Sequence, residues 1–303
     1  MGMTWGRQGA ALEAGQILMG AKEKFPEDTE LRIQLAKSLG QLLFLGSARN
    51  ELIEVLKKDP KNGEAAISLV DFSLSPELLG ECEDILEPGV NAGDPEFLIA
   101  AALLEMRRGA RHHGSSLLEK AMAKTPDSPR GLALKAVLLE ADEKSDEAEA
   151  AFKAAVKASD PYSNMPLNYA NYLQQKGRVA DAKAVLQDVR KATPDFLPAS
   201  KALAAIAASE NDWAKVEELV KPVLSKSPYD IEAGQLQAQA YLRKKESKSA
   251  VEQLEGINAR FPGRAVLELA LAKALLAHGN SSRAATVLDA AIRNAPGSQE
   301  AVG

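Results

Sequence analysis

Two adjacent histidines, His112 and His113, stand among Arg107, Arg108 and Arg111. Imidazoles next to guanidinium groups are residue types that can hold a metal ion or an anion. Adjacent histidines on a turn are more often solvated polar residues, and His278 is the only other imidazole in the chain, so no metal ligand is assigned. Cys82 is the single cysteine. A reactive thiol needs a cationic helper, and the sequence places none beside a residue that falls on a buried helical face. Cys82 therefore reads as a small packing residue. Carboxylate pairs such as Glu217-Glu218 lie on a segment that needs a solvated face in any case. No phosphate-binding loop, dinucleotide glycine fingerprint or nucleophile elbow is present. The expectation is no catalytic residue, no cofactor and no enzyme activity.

Composition narrows the classes further. Of 303 residues, 42 are acidic and 37 basic, for a net charge of −5, with no long basic run. Nucleic acid is thereby excluded as the expected main partner. One cysteine excludes an intramolecular disulfide framework. The longest clean apolar run, Phe97 to Leu104, is too short to span a bilayer. No basic start followed by an apolar stretch marks a leader, because Glu13 interrupts the only candidate. As it stands the sequence reads as cytoplasmic, or as periplasmic if a leader once preceded Met1-Gly2-Met3.

The elements that must position any site follow a period. Prolines recur at Pro26, Pro60, Pro95, Pro126, Pro161, Pro194, Pro228, Pro262 and Pro296, with gaps of 31 to 35 residues. A period of this length means stacked supersecondary units rather than one globular core. Twelve residues before the proline stands a small residue, as at Ala14, Ala48, Gly114, Ala182, Ala250 and Ala284. Eight before it comes a large apolar one, as at Leu18, Leu52, Leu118, Leu186, Val220, Leu254 and Leu288. A third set, five before it, includes Val55, Ala121, Val189, Val223 and Ile257. Offsets of four and three trace one helical face. The first half of each block shows the same spacing, as in Leu35/Ala36/Leu39 and Leu271/Ala272/Leu275. Turns such as Lys176-Gly177-Arg178 separate the halves. Ser75-Pro76 and Ser128-Pro129 read as an N-cap followed by a first-turn proline. No segment alternates with period two, so no sheet is expected.

Small slots, apolar slots and a closing proline at these offsets resemble the tetratricopeptide-repeat (TPR) family. The best local match runs from Leu167 to Leu186 and closes at Pro194. The family's aromatic first-helix position is mostly aliphatic here. The resemblance implies an all-α, right-handed superhelix (α-solenoid) of helix–turn–helix repeats. It covers residues 1–303 as a single array: a half-repeat at about 4–25, eight repeats at about 27–296 and a short tail at 297–303. Residues 73–114 are expected to be irregular. The second block should break at Glu87-Pro88-Gly89, the third should be three residues short, and its turn should span Arg107 to Gly114.

In that family, first helices line a concave groove. Carrying the face over places Lys37, Asp71, Met106, Val137, Asn171, Ala205, Gln239 and Lys273 in one row. Asn164, Asn168, Gln174, Lys201, Gln235 and Arg243 fall near it. Amide side chains both donate and accept, which suits an extended peptide backbone. The partner-binding residues are thus expected to be Asn164, Asn168, Asn171, Gln174, Lys201, Gln235, Gln239 and Arg243. The clamp that co-chaperones of this family close on acidic tails needs basic residues in matching slots, and these are missing. The resemblance implies a scaffold for a protein or peptide, in the style of bacterial alanine-rich arrays of envelope or export assemblies. The alternatives are a substrate-recruiting arm of a larger enzyme and a structural protein that self-associates through uncapped ends.

Overall fold

The computed structural model describes residues 1–294. Pro296 and the tail at 297–303 lie outside the described residues. Among the described residues there are 18 α-helices and no strand. The chain divides into two compact units, residues 1–185 and 186 onward. Each is built from helix pairs of a solenoid.

The first unit begins with α1 (Gly2–Arg7) and α2 (Ala11–Lys24), followed by α3 (Thr29–Gln41) and α4 (Leu45–Lys58). It continues through α5 (Gly63–Asp71), α6 (Pro76–Asn91), α7 (Pro95–Arg107), α8 (Arg111–Lys124), α9 (Pro129–Ala141), α10 (Ser145–Ala158) and α11 (Met165–Gln175). Helix α12 (Val179–Ala192) straddles the division. The second unit holds α13 (Leu197–Ser209), α14 (Trp213–Lys226), α15 (Ile231–Arg243), α16 (Ser247–Arg260), α17 (Ala265–Ala277) and α18 (Ser281–Asn294).

Most of the repeat signals in the sequence have a physical counterpart. Several first helices start at side-chain caps. Asp28 accepts from the Leu31 N–H at 2.9 Å, Asn62 from Ala65 at 3.0 Å and Ser128 from Gly131 at 3.2 Å. Most turns within a pair close with the same two bonds. After α11 the Gly177 N–H donates to Gln174 O and the Arg178 N–H to Leu173 O, at 2.9 and 2.8 Å. This is a Schellman ending, with its residue of positive φ. Gly109, Glu143, Gly177, Asn211, Lys245 and Gly279 occupy that position at intervals of 34 residues. At Gly177 (φ 74) glycine relieves the strain, whereas Glu143 (φ 62) and Lys245 (φ 64) hold the same geometry with side chains. The turn geometry, more than the residue that fills it, is what repeats.

The small slots are buried. Ala14, Ala48, Ala182, Ala250 and Ala284 have no exposed surface, and Leu52, Leu186 and Leu254 lie beside them in the core. Replacing Ala182 or Ala250 by leucine is therefore expected to force neighbouring helices apart and to cost about 1–3 kcal/mol. Chemical denaturation checks this, and an unchanged midpoint for both variants would refute the packing role.

The irregular stretch differs from expectation. Helix α6 does not break at Glu87-Pro88-Gly89 but runs through Pro88 to Asn91. Pro88 lies in the last turn, where only one intrahelical bond is forgone. Gly89 is required there, since a Cβ would fall on the ring of buried Phe97. Gly93 (φ 70) ends the helix instead. Nor is the third block short, because α7 and α8 have the usual 13 and 14 residues. Pro95 is the first residue of α7, whereas Pro60 and Pro126 stand three residues ahead of theirs. The shifted marker made the wrong block look short. The departure lies one block earlier, in a nine-residue α5 and a sixteen-residue α6.

Helix α5 also lacks the Schellman ending. The Ser73 N–H still donates to Val70 O at 3.0 Å and Ser73 Oγ donates to Leu69 O at 2.6 Å, while Arg107 of α7 adds its guanidinium to Val70 O, Asp71 O and Ser73 O. At the start of the unit, Arg7 of α1 reaches Asp160 in the α10–α11 connection at 2.8 Å, and its guanidinium lies 5.3 Å from the Tyr162 ring centroid.

Candidate functional site

The first unit contains a trough of about 490 Å³ on the first-helix side. Its walls are α9, contributing Arg130, Leu134, Val137 and Glu140, and α11, contributing Asn168, Asn171 and Gln175. Ile99 and Leu103 of α7 and Ile67 and Asp71 of α5 complete it, over a floor of Phe152 and Tyr172.

Three rings open this space. Phe152 of α10 lies 4.8 Å from Tyr172 and 6.1 Å from Tyr169, centroid to centroid. All three are buried. Helix α7 packs on α9, and α11 is held against α10 by the rings. The connection before α11 is also longer, at residues 159–164. Both tyrosine hydroxyls are anchored. Tyr169 donates to Glu149 Oε1 at 2.9 Å, and Tyr172 donates to Ser145 O at 3.2 Å. Burial, and then the Glu140 carboxylate, push the Tyr172 phenol up to about 12. Hydrogen bonds from Arg178, Lys153 and Tyr169 hold Glu149 down at about 2. The frame behind the trough thus stays in one charge state across the neutral range.

Each charged side chain on the walls has a partner of opposite sign, with Asp71 shared by two arginines and Glu140 Oε2 left without a hydrogen bond. Asp71 lies between Arg130 (3.1 Å) and Arg107 (3.4 Å). Glu140 pairs with Lys176, whose hydrogen bond lowers the Glu140 pKa. What remains for a ligand is apolar wall, Val137 above all, and amide side chains.

The expected partner residues separate accordingly. Asn168 and Asn171 are exposed and line the trough, joined by Gln175, which the sequence reading passed over. Asn164 precedes α11 as an exposed residue, and Gln174 is half-buried and not part of the lining. Lys201, Gln235, Gln239 and Arg243 belong to the second unit. Lys201 is tied to Asp230 at 3.1 Å and Glu232 at 3.3 Å. Burial works to lower its pKa, but these carboxylates outweigh it and the net shift is upward. Gln235 donates to Val266 O at 3.4 Å, Arg243 lies 5.3 Å from the Trp213 ring centroid, and Gln239 is exposed.

Most residues that could have done chemistry have structural partners. His112 and His113 lie on the first turn of α8 rather than in a loop, and His113 Nδ1 is 3.2 Å from Glu105 Oε2. Arg108 pairs with Glu83 at 2.8 Å. Cys82 is fully buried and does have a cationic neighbour, Arg49, at 3.6 Å. That guanidinium is itself only 4% exposed and bonds Ser73 Oγ and Glu81. No group of three or more potential metal ligands occurs among the described residues, nor any helix long and apolar enough to cross a membrane.

Two family models, each described as tetratricopeptide repeat, match the sequence, one over residues 139–206 and the other over 99–164 and 269–302. This is a TPR protein. A chain from the functional characterization of Pseudomonas aeruginosa pilF shares the fold at 18% identity and a TM-score of 0.53, with 70% of this chain and 96% of that one covered. Yeast Tom70 is similar at 16% identity and a TM-score of 0.59, covering 94% of this chain and 55% of that one. A chain of the APC/C hetero-tetramer Cut9–Hcn1 follows at 16% identity and 0.54, covering 93% and 56%. The TPR chain thus spans about half the length of the last two. No curated protein matched. The repeats make it an interaction scaffold in general terms.

Proposed function

We propose that this TPR protein is a non-enzymatic scaffold, one array of repeats after a partial first one, that holds an extended segment of a partner protein in the trough beside α11. The observation that carries this is the combination of exposed amides with walls whose charges are already matched. Amides serve a peptide backbone of any sequence, and a clamp for an acidic tail would need spare cations. Peptides selected on the intact chain from a displayed random library are expected to lose about tenfold in affinity when Asn168 and Asn171 are both replaced by alanine, the worth of one or two hydrogen bonds. Helicity should not change. Selected peptides that bind the double variant undiminished would refute the site. The alanine-rich, aromatic-poor blocks support a partner in a bacterial envelope or export assembly.

One observation favours a second reading, self-association. Helix α17 exposes Val266, Leu269 and Leu276 on one face. If that face pairs copies of the chain, light scattering will rise with concentration and Leu269→Glu will abolish the rise.

A further inference from the structure

Two neighbouring turns of the first unit carry large apolar side chains into solvent. Leu43 and Phe44 join α3 to α4, Leu74 joins α5 to α6, and they are 68%, 45% and 69% exposed. Both turns lie on one edge of the unit. A Cβ on Gly40, in the last turn of α3, would fall on the ring of Phe72 at the end of α5, and Arg49 of α4 bonds Ser73 Oγ. Packed helices stand about 8–10 Å apart, which sets the spacing of the two tips. No charged residue occurs between Lys37 and Arg49, and Arg49 is buried. Leu43 also has φ 61, a left-handed conformation in which the other turns of this kind place glycine, asparagine, glutamate or lysine. A leucine there is unfavourable twice over, in its backbone and in its exposure.

Beside the tips lies α6, which has five carboxylates and no cation. Arg49 takes Glu81 and Arg108 takes Glu83. Glu77 and Asp84 are exposed and have no ion pair among the described residues.

We infer that this edge is a second docking surface, and that its occupant is a basic amphipathic helix of a partner protein. The apolar face of that helix meets Leu43, Phe44 and Leu74, and its lysines or arginines reach Glu77 and Asp84. The backbone of the turns selects a helix over a strand. The Leu43 N–H donates to Gly40 O, the Phe44 N–H to Leu39 O and the Ser73 N–H to Val70 O, at 2.9, 2.9 and 3.0 Å. A strand would find no row of free donors here, whereas a helix satisfies its own backbone and needs only side-chain contacts. Seven residues of helix rise about 10 Å, so apolar residues two turns apart match the two tips. The carboxylates choose the sign, since they repel an acidic segment or an anionic lipid surface. None of these residues lines the trough, so the inference stands apart from the peptide reading above.

Two helical peptides of about 18 residues, five turns, test this. Each has leucines along one face, with lysines along the other face in one peptide and glutamates in the other. Fluorescence polarisation against the intact chain should show the lysine peptide binding about tenfold tighter or more. Leu43→Asn with Leu74→Ser should lower that affinity about tenfold. The melting temperature should hold or rise, because asparagine suits a positive φ. Glu77→Lys with Asp84→Lys should weaken binding to a similar degree, and Asn168→Ala with Asn171→Ala should leave it unchanged. Undiminished binding to either edge variant would overturn the inference. A loss in the asparagine variant would put the helix in the trough and overturn it as well. Binding of neither peptide would overturn it and leave the trough reading intact. Flotation with phosphatidylcholine vesicles that Leu43→Asn with Leu74→Ser abolishes would assign the edge to a membrane instead. Light scattering that rises with concentration and is abolished by the same pair would assign it to a second copy.

Discussion

Truncating Phe152 to alanine is expected to remove about 3–5 kcal/mol of stability. The ring is buried at the α10–α11 contact, where it touches both Tyr169 and Tyr172. Its loss leaves a cavity beside the Tyr169 and Tyr172 rings. The same change should let α11 settle toward α9 and close the trough, so peptide binding should fall together with stability. Denaturant titration gives the first quantity. Amide exchange along α11, measured well below the transition, gives the second. Tyr169→Phe keeps the ring and removes only the hydroxyl bond to Glu149, and should cost about 0.5–1.5 kcal/mol, or up to about 3 because the acceptor is charged. A loss from Phe152→Ala no larger than that would mean the rings do not hold α11 against α10.

The second large effect concerns Arg49. Its guanidinium is enclosed by the first unit's core and has one carboxylate partner, Glu81, at 2.7 Å. Glu81→Ala leaves a buried cation with only Ser73 Oγ and Cys82 Sγ beside it. The expected cost is about 1.5–3 kcal/mol, the range for a hydrogen bond to a charged group. Glu81→Gln keeps an acceptor and should cost less. In an Arg49→Met background there is no cation to orphan, so Glu81→Ala should then have little effect. An equal loss in both backgrounds, read from melting curves, would show that the pair contributes nothing.

Much of the architecture was legible because a solenoid repeats its packing rules. Ala48, Leu52 and Val55 recur as Ala250, Leu254 and Ile257, and both trios are buried. The proline marker misled at one place. Pro95 fits a first helical position as well as it fits a connection, since its missing N–H is unneeded in either, and spacing alone does not separate the two. Pro88 and Gly89 looked like a break because a helix end tolerates both, and only the ring of Phe97 explains the glycine. At the site, Asn168 and Asn171 could be found because family geometry puts them on a first helix. Phe152 could not, since it comes from a second helix and reads as core. Arg49 was passed over because a lone charge on an amphipathic helix ordinarily faces water, and its partners Ser73 and Glu81 are 24 and 32 residues away.

The contact between Arg7 and Asp160 has a consequence for how the first unit can be watched. Both side chains are more than half exposed, and an ion pair of that kind contributes about 0–1 kcal/mol. It is too weak to bend ten helices into register. The helices must already bring its ends together, through the small rotation that each repeat adds to the one before. Errors in that rotation accumulate along the stack and are largest between its extremes. The pair therefore behaves as a pointer at the end of a long lever. A distance probe spanning positions 7 and 160 would magnify changes in pitch too small to detect between any two adjacent helices.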